Sequence, residues 1–252
     1  MVSALHLLQL AQTAAARAAS YIRSVVRPSD PQGWTLKGAR DFVTEVDRTS
    51  ERIIADILLS AEPSGRMVGE ELSPNVVTDG LVWVVDPLDG TTNFLHDFSS
   101  YAVSIAGAVD GVLEVGVVFH VTRNEGYSAS RGGGAWLGEG RLKVSAIQDP
   151  AFALIGTGFP FKDPSRLEEY QSQFGRVAAA VSGIRRPGAA ALDLADVAAG
   201  RFDGFWEQQL SAWDIAAGSL LIREAGGVCD GLFGAGHRDR AHRSRCGQPR
   251  DP

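Results

Sequence analysis

The run Leu81-Val82-Trp83-Val84-Val85 restricts the fold of this chain more than any other feature. A strand with water on one side alternates apolar and polar residues, whereas this one does not alternate at all. It must therefore be covered on both faces, in a sheet with a layer packed against each side. The run stops abruptly at Asp86-Pro87-Leu88-Asp89-Gly90. A proline and two carboxylates do not belong in the middle of a buried strand, so a rigid element ends there on acidic groups.

The surrounding patterns predict what supplies the layers. Residues 102–109 and 112–119 are β-rich and separated by Asp110-Gly111, a strong hairpin signal, so antiparallel pairing is expected. Helices are expected over 1–27, where Leu5, Leu8, Ile22 and Val26 recur at helical intervals, and over 47–60, with a Pro- and Gly-containing loop at 28–38 between them. Later, strand-like stretches at 153–156, 184–186 and 202–206 alternate with helical ones at 167–181, 190–199 and 213–225, implying helices layered on a second sheet. No internal repeat or linker divides the chain. Residues 234–252 are Arg-rich with almost no apolar content, and are expected to lie at the surface without core structure or a buried final helix.

The formal net charge of -6 and pI near 5.4 oppose a general affinity for nucleic acid or an anionic membrane, both of which need excess Lys and Arg. The first helix has no signal-peptide core. Cys229 and Cys246, the two cysteines of the chain, belong to no CxxC motif and suggest neither a disulfide framework nor a zinc site, so the expected setting is the cytoplasm. A small-molecule substrate is the better default.

Acidic residues gather near predicted element ends: Asp41 with Asp47, Glu70 with Glu71, Asp86 with Asp89, and Asp214. Magnesium takes hard oxygen ligands and keeps several waters, so a few carboxylates from separate segments suffice to hold it. Asp86 and Asp89 flank a Pro-containing turn, so two ligands and an intervening carbonyl can face one point. Gly90-Thr91-Thr92 follows, and a glycine turn opening a helix offers free N–H groups to a phosphate. Blander readings exist for each piece. Asp89-Gly90 alone fits an ordinary turn, Glu70-Glu71 a solvated pair, and Thr44-x-x-Asp47 and Ser211-x-x-Asp214 the helix capping box. His96 and His120 lack metal-ligand spacing and are read as loop and core residues.

Taken in order, Gly69-Glu70-Glu71, then Asp86-Pro87-Leu88-Asp89-Gly90-Thr91-Thr92-Asn93-Phe94, then Trp213-Asp214-Ile215-Ala216-Ala217-Gly218 resemble the signature of the inositol monophosphatase family. Lys37 and Asp41-Phe42-Val43-Thr44-Glu45-Val46-Asp47 match a further element upstream, and the likeness spans about residues 1–231. It implies a layered α-β-α-β-α sandwich of the inositol monophosphatase and fructose bisphosphatase type, within the α/β (α+β) class. Residues 1–150 would form an α+β half with most metal ligands, and 151–233 a second half with Asp214 and the substrate contacts, joined in one unit.

The resemblance further implies two or three Mg2+ ions. Glu70, Asp86 and the Leu88 carbonyl would hold one, and Asp86, Asp89 and Asp214 a second, with Asp86 bridging. Thr91 and Asp47 would position the attacking water, with Glu70 also in the catalytic group, and Gly90, Thr91 and Thr92 would cradle the phosphate. Asp89, Gly188, Ala189, Ala190, Glu207 and Asp214 would face the substrate, although many relatives carry Ser or Thr where Ala189 stands. Asp193 matches an acidic position of the family, for which helix-surface solvation is an equal account. The implied activity is hydrolysis of inositol monophosphate or a similar polyol or sugar phosphate by a homodimer. Histidinol-phosphate phosphatase and fructose bisphosphatase activity are alternatives, as is a binding role in an RNA or transcription complex.

Overall fold

The computed structural model describes residues 3–27, 35–38, 41–73, 75, 77–161, 163–230 and 243–247. Its larger sheet has seven strands in the order β3-β4-β5-β6-β7-β8-β9: β3 (Arg66–Gly69), β4 (Leu81–Asp89), β5 (Ala102–Val109), β6 (Val112–His120), β7 (Glu125–Ser130), β8 (Gly134–Leu137) and β9 (Gly140–Arg141). Only the β3–β4 pair is parallel. The β5–β6 hairpin turns at Asp110 (φ 49°) and Gly111 (φ 78°), the left-handed pair that a two-residue turn requires.

Strand β4 is buried on both faces, as its unbroken apolar run predicts. Trp83 and Val85 pack with helices α1 (Ala4–Ser24) and α2 (Glu45–Ala61), while Val82 and Val84 join the opposite core with α5 (Ala190–Ala198) and α6 (Ala212–Glu224). Of the large residues that suggested the buried face of helix α1, Ile22 is in the core but Leu5 is not, and Val26 lies beyond the helix. Leu5 is 64% and Val26 91% exposed, and the buried stripe is Leu7, Ala11, Ala14, Ala15, Ala18, Ala19 and Ile22. Alanine side chains let the helix lie close against the sheet, so packing distance rather than residue size sets the middle of the stripe.

Beyond α5 and α6 lies the second sheet, in the order β11-β10-β12-β14-β13: β10 (Leu154–Thr157), β11 (Gly183–Arg185), β12 (Gly204–Gln208), β13 (Val228–Asp230) and β14 (Arg243–Gly247). Neighbouring residues of β12 face opposite ways: Phe205 enters the α5–α6 core, and Trp206 stacks on Tyr170 of α4 (Leu167–Ala178) at 6.2 Å. Helix pair, sheet, helix pair, sheet and helix thus make the expected sandwich. A separate two-stranded pair, β1 (Thr35–Gly38) with β2 (Asp41–Val43), precedes α2.

Two expectations are corrected. The Arg-rich tail contributes β14, which lies between β12 and β13 and pairs antiparallel with both. Backbone groups of the two flanking strands supply its hydrogen bonds, so strand formation there does not need the apolar periodicity that the segment lacks. The cysteines are corrected with it: the pairing sets Cys229 opposite Cys246, and Cys229 is disulfide-bonded. Their spacing carries no such signal because the bond depends on that strand pairing. The rest of residues 234–252, and the expected absence of a final helix there, lie outside the described residues. So do the side chains of Lys37 and Asp41.

Candidate functional site

One face of α2 approaches the carboxyl end of β4. Asp47, Ser50 and Glu51 fall at positions i, i+3 and i+4 and are all buried. The strand does not stop at Asp86 as expected: β4 continues through Pro87 and Leu88 to Asp89, with a register shift against β5 between Asp86 and Asp89, and Ser50 Oγ donates to the Pro87 carbonyl (2.9 Å), pinning this stretch to the helix. Glu51 accepts from the N–H groups of Glu71 (2.9 Å) and Leu72 (3.1 Å), which fixes the loop carrying Glu70. Its carboxyl also lies where a Cβ on Gly69 would stand, so only glycine fits there. Glu70 N–H donates to the Val85 carbonyl (3.3 Å), which continues the β3–β4 pairing and keeps Glu70 beside Asp86.

Asp47 does two jobs at once. Its Oδ2 accepts from the Thr44 N–H (2.8 Å) and Thr44 Oγ1 (2.5 Å), closing the capping box of α2, while Oδ1 accepts from Thr91 Oγ1 (2.8 Å). Capping and a place in the site are therefore compatible uses of one carboxylate. Asp214 behaves similarly, accepting the Ser211 N–H on Oδ2 (2.5 Å) at the start of α6. Asp86 Oδ1 accepts from Leu88 N–H (3.0 Å), and Asp89 Oδ2 from Ala191 N–H (2.7 Å). In each of these three aspartates one oxygen is held by backbone, which orients the carboxyl.

Electrostatics mark the same residues. Burial raises the Asp86 carboxyl well above its ordinary value, and the charges of Glu70, Asp89 and Asp214 raise it further. Asp214 is also raised well above normal, first by desolvation of its carboxyl and then by Glu70 and Asp89, although the residue as a whole is only half-buried. Asp47 is raised by burial against the lowering effect of its three hydrogen bonds. The acidic groups act on one another, yet among the described residues no three of them converge on a single point. Four neighbouring carboxylates are nonetheless hard oxygen donors of the kind a divalent cation takes, and opposite charge would relieve the repulsion that raises them.

Gly90 (φ 92°) opens the short helix α3 (Thr91–Leu95) directly after β4, without a side-chain cap for the first N–H groups of the helix. A cavity of about 660 Å³ joins this point to the second half of the chain. Glu70, Asp86, Leu88, Asp89, Gly90, Thr91, Thr92 and Asp214 line it, together with Gly188, Ala190 and Glu207. Glu207 projects from β12, and its carboxyl occupies the space a side chain at Gly158 would need. Ala189 caps α5 without a side-chain bond and lies buried behind the cavity wall.

Asp193 is on α5 but not at the helix surface. It is 1% exposed, its two carboxyl oxygens lack a hydrogen-bond partner, and burial followed by the charge of Glu207 raises it well above its usual value. His120 is a buried residue, in keeping with its expected core role, and His96 caps α3. The sequence reading missed Ser50, Glu51 and Asn93. The first two share the helical face of Asp47, which was the available signal. Asn93 donates to the carbonyls of Ser100 (2.6 Å) and Pro187 (2.9 Å) and ties α3 to the segment before α5, a link with no local signature.

Among the described residues, no helix is long and apolar enough to cross a membrane. The model of the inositol monophosphatase family matches residues 4–249. An inositol-1-monophosphatase of Rhizobium meliloti is 48% identical over 214 residues, covering 84% of this chain and 80% of that protein. The Nus factor SuhB of Pseudomonas aeruginosa is 45% identical over 234 residues, covering 91% and 86%. Among solved structures, the extragenic suppressor protein suhB of Bartonella henselae superposes with a TM-score of 0.85 at 36% identity, covering 96% and 94% of the two chains. An inositol monophosphatase from Anabaena gives 0.83 at 30% identity, covering 96% and 90%. With the sandwich, the ordered motifs and a family match along nearly its whole length, the chain belongs to the inositol monophosphatase family, in which magnesium dependence is typical.

Proposed function

We propose that this protein is a magnesium-dependent phosphomonoesterase acting on inositol monophosphate or a similar small polyol or sugar phosphate. The observation that carries the reading is the Thr91–Asp47 hydrogen bond standing beside Asp86, Asp89 and Asp214, at the mouth of a helix that opens on Gly90. Glu70, Asp86, the Leu88 carbonyl, Asp89 and Asp214 would hold the cations. Bound magnesium would supply charge neutralisation of the phosphate and a lowered pKa for water.

The remaining work falls to the chain itself. Thr91 Oγ1 donates a hydrogen bond to Asp47 Oδ1, which leaves its lone pairs to accept from an attacking water and aim it. Asp47 cannot swing away, because Thr44 grips its other oxygen. The N–H groups at the start of α3 receive the phosphate oxygens where negative charge builds. The Glu207 carboxylate accepts hydrogen bonds from substrate hydroxyls, while Gly188 and Ala190 leave room for the ring.

The test is phosphate release from inositol phosphates, histidinol phosphate, fructose bisphosphate and adenosine bisphosphate, with and without magnesium. Magnesium-dependent turnover of a polyol or sugar phosphate is expected, and the absence of turnover on all four refutes the reading. The relatives named Nus factor SuhB support a second role, attachment to a transcription complex. Association of the purified protein with transcription components, retained in a variant without phosphatase activity, is its test.

A further inference from the structure

Asp193 has no part in the chemistry described so far, yet it is 1% exposed and neither of its carboxyl oxygens has a hydrogen-bond partner. Capping does not explain it. Asp193 stands fourth in α5, one place beyond the position from which a carboxyl reaches back to the helix start, and the Ala189 cap has no side-chain bond. The N–H of Ala191 in that first turn is taken by Asp89.

The face of β12 that meets α5 carries the group beside it. Phe205 points into the α5–α6 core, and side chains two places apart leave a strand on the same face, so Glu207 points that way too. Parallel pairing sets Gly156 of β10 opposite Phe205. The Phe205 ring and the Glu207 carboxyl fill the places where side chains at Gly156 and Gly158 would stand, so glycine lets both lie against the sheet on its α5 side. Of the charges that act on Asp193, Glu207 is the strongest. Asp89 on β4 and Asp196 further along α5 act in the same sense, and Arg186, just before α5, opposes them.

A buried carboxylate without a partner takes a proton rather than bear the cost of its charge, and burial followed by these three carboxylates favours that form. The neutral group then has one O–H to donate. Glu207 is partly exposed at the cavity, where ionisation costs less, and its carboxylate is an acceptor.

We propose that Asp193 is a positioning residue that shares one proton with Glu207: its O–H donates to the Glu207 carboxylate and holds it, charged, in the pose that receives the substrate hydroxyls. This rests on the phosphatase reading and names the support of its substrate contact. Asp193 does not line the cavity, so it acts on substrate only through Glu207. One proton between the two carboxyls keeps the pair at a single negative charge, whereas two charges would push Glu207 away from α5.

The experiment compares the wild type with Asp193→Asn, Asp193→Leu, Asp193→Ala, Glu207→Gln and the double variant of Asp193→Ala with Glu207→Gln. Thermal unfolding checks that each is folded, and kcat and KM are measured with magnesium on inositol monophosphate and on an aryl phosphate without hydroxyls. Asp193→Asn keeps an N–H donor for Glu207 and should stay within about twofold of the wild type on both substrates. Asp193→Leu keeps the branching without the donor, and Asp193→Ala removes both. Each should raise KM for inositol monophosphate about tenfold and leave the aryl phosphate unchanged. In the Glu207→Gln background, Asp193→Ala should add nothing, because its effect passes through that carboxylate. Infrared difference spectra of wild type against Asp193→Asn, with magnesium at neutral pH, should show the C=O band of a carboxylic acid in the wild type.

Asp193→Asn as impaired as Asp193→Ala, an equal loss on both substrates, additive losses in the double variant, no loss in either apolar variant, or a missing acid band each overturns the proposal. A wild type that hydrolyses the aryl phosphate alone refutes the polyol substrate and this role with it. One that hydrolyses nothing with magnesium refutes the phosphatase reading, and the acid band then sustains or overturns the shared proton by itself.

Discussion

Replacing Asp86 by Asn should separate stability from function in opposite directions. Asp86 is 2% exposed, and burial, Glu70, Asp89 and Asp214 all disfavour its charge. The hydrogen bond that Oδ1 accepts from Leu88 N–H at 3.0 Å can be kept by the Asn carbonyl. The substitution removes a buried charge without leaving that donor unpaired, so in a chelator the variant should melt above the wild type.

The sign can be followed in pH. A carboxyl raised in the folded state keeps its proton more firmly there than in the unfolded chain. Stability without divalent cations is therefore highest below the unfolded carboxyl value near 4, and falls as pH rises toward the folded value. Asp86→Asn should flatten this slope.

Magnesium should reverse the ranking. At a concentration a hundred times the dissociation constant, a ligand that binds only the folded state adds about 2.7 kcal/mol. For a chain of this size that corresponds to roughly 5–10 °C in melting temperature. The wild type should show this shift and Asp86→Asn little of it, with turnover lower by at least about a hundredfold. Scanning calorimetry with chelator and with magnesium, alongside phosphate release, makes the comparison. A variant less stable than wild type in chelator, or one retaining the magnesium shift, would show that Asp86 is neither electrostatically strained nor a cation ligand.

Glu207→Gln should raise KM for inositol phosphate roughly tenfold while sparing an aryl phosphate that lacks hydroxyls, because a carboxylate acceptor is worth more than an amide; steady-state kinetics on the two substrates decides. Glu51→Gln presents an NH2 group to one of the two N–H donors of Glu71 and Leu72, at a cost of about 1–3 kcal/mol, and should raise the magnesium needed for half-maximal activity. His120 is pushed down to about 4, first by burial and then by Arg123 and Arg201, so the unfolded chain takes up a proton between pH 6.5 and 4 that the folded chain refuses. Acidification through that window should cost at most about 3 kcal/mol, and His120→Gln should remove this part of the loss in denaturant titrations at pH 7 and pH 5.

Much of the site was legible in the chain because its chemistry is local. Asp86, Asp89, Gly90 and Thr91 follow one another at the end of a strand whose unbroken apolar run announces burial on both faces, and the order of the three motifs identifies the family. Residue type and spacing carry that information without any knowledge of packing. Other features were settled only by contacts between distant segments. Whether Asp47 is a helix cap or part of the site cannot be read from Thr44-x-x-Asp47, since the answer lies in the hydroxyl of Thr91, on another element.

The same reason explains the misses. Ser50 and Glu51 are ordinary polar residues of an amphipathic helix until Pro87 and the Glu71 loop arrive against them. The buried stripe of α1 runs between Leu7 and Ile22 through five alanines, where the sheet and α2 approach closely, so hydrophobic size finds its ends but not its middle and misleads at Leu5 and Val26, which lie exposed. Strand β14 has no apolar pattern, and it exists because β12 and β13 both present backbone groups to be paired. Sequence determined which side chains can do phosphate chemistry and which runs must be covered. Tertiary structure decided which oxygen of each carboxylate is spent on backbone and which carboxylates face the cavity, because those depend on distances between segments that no local pattern encodes.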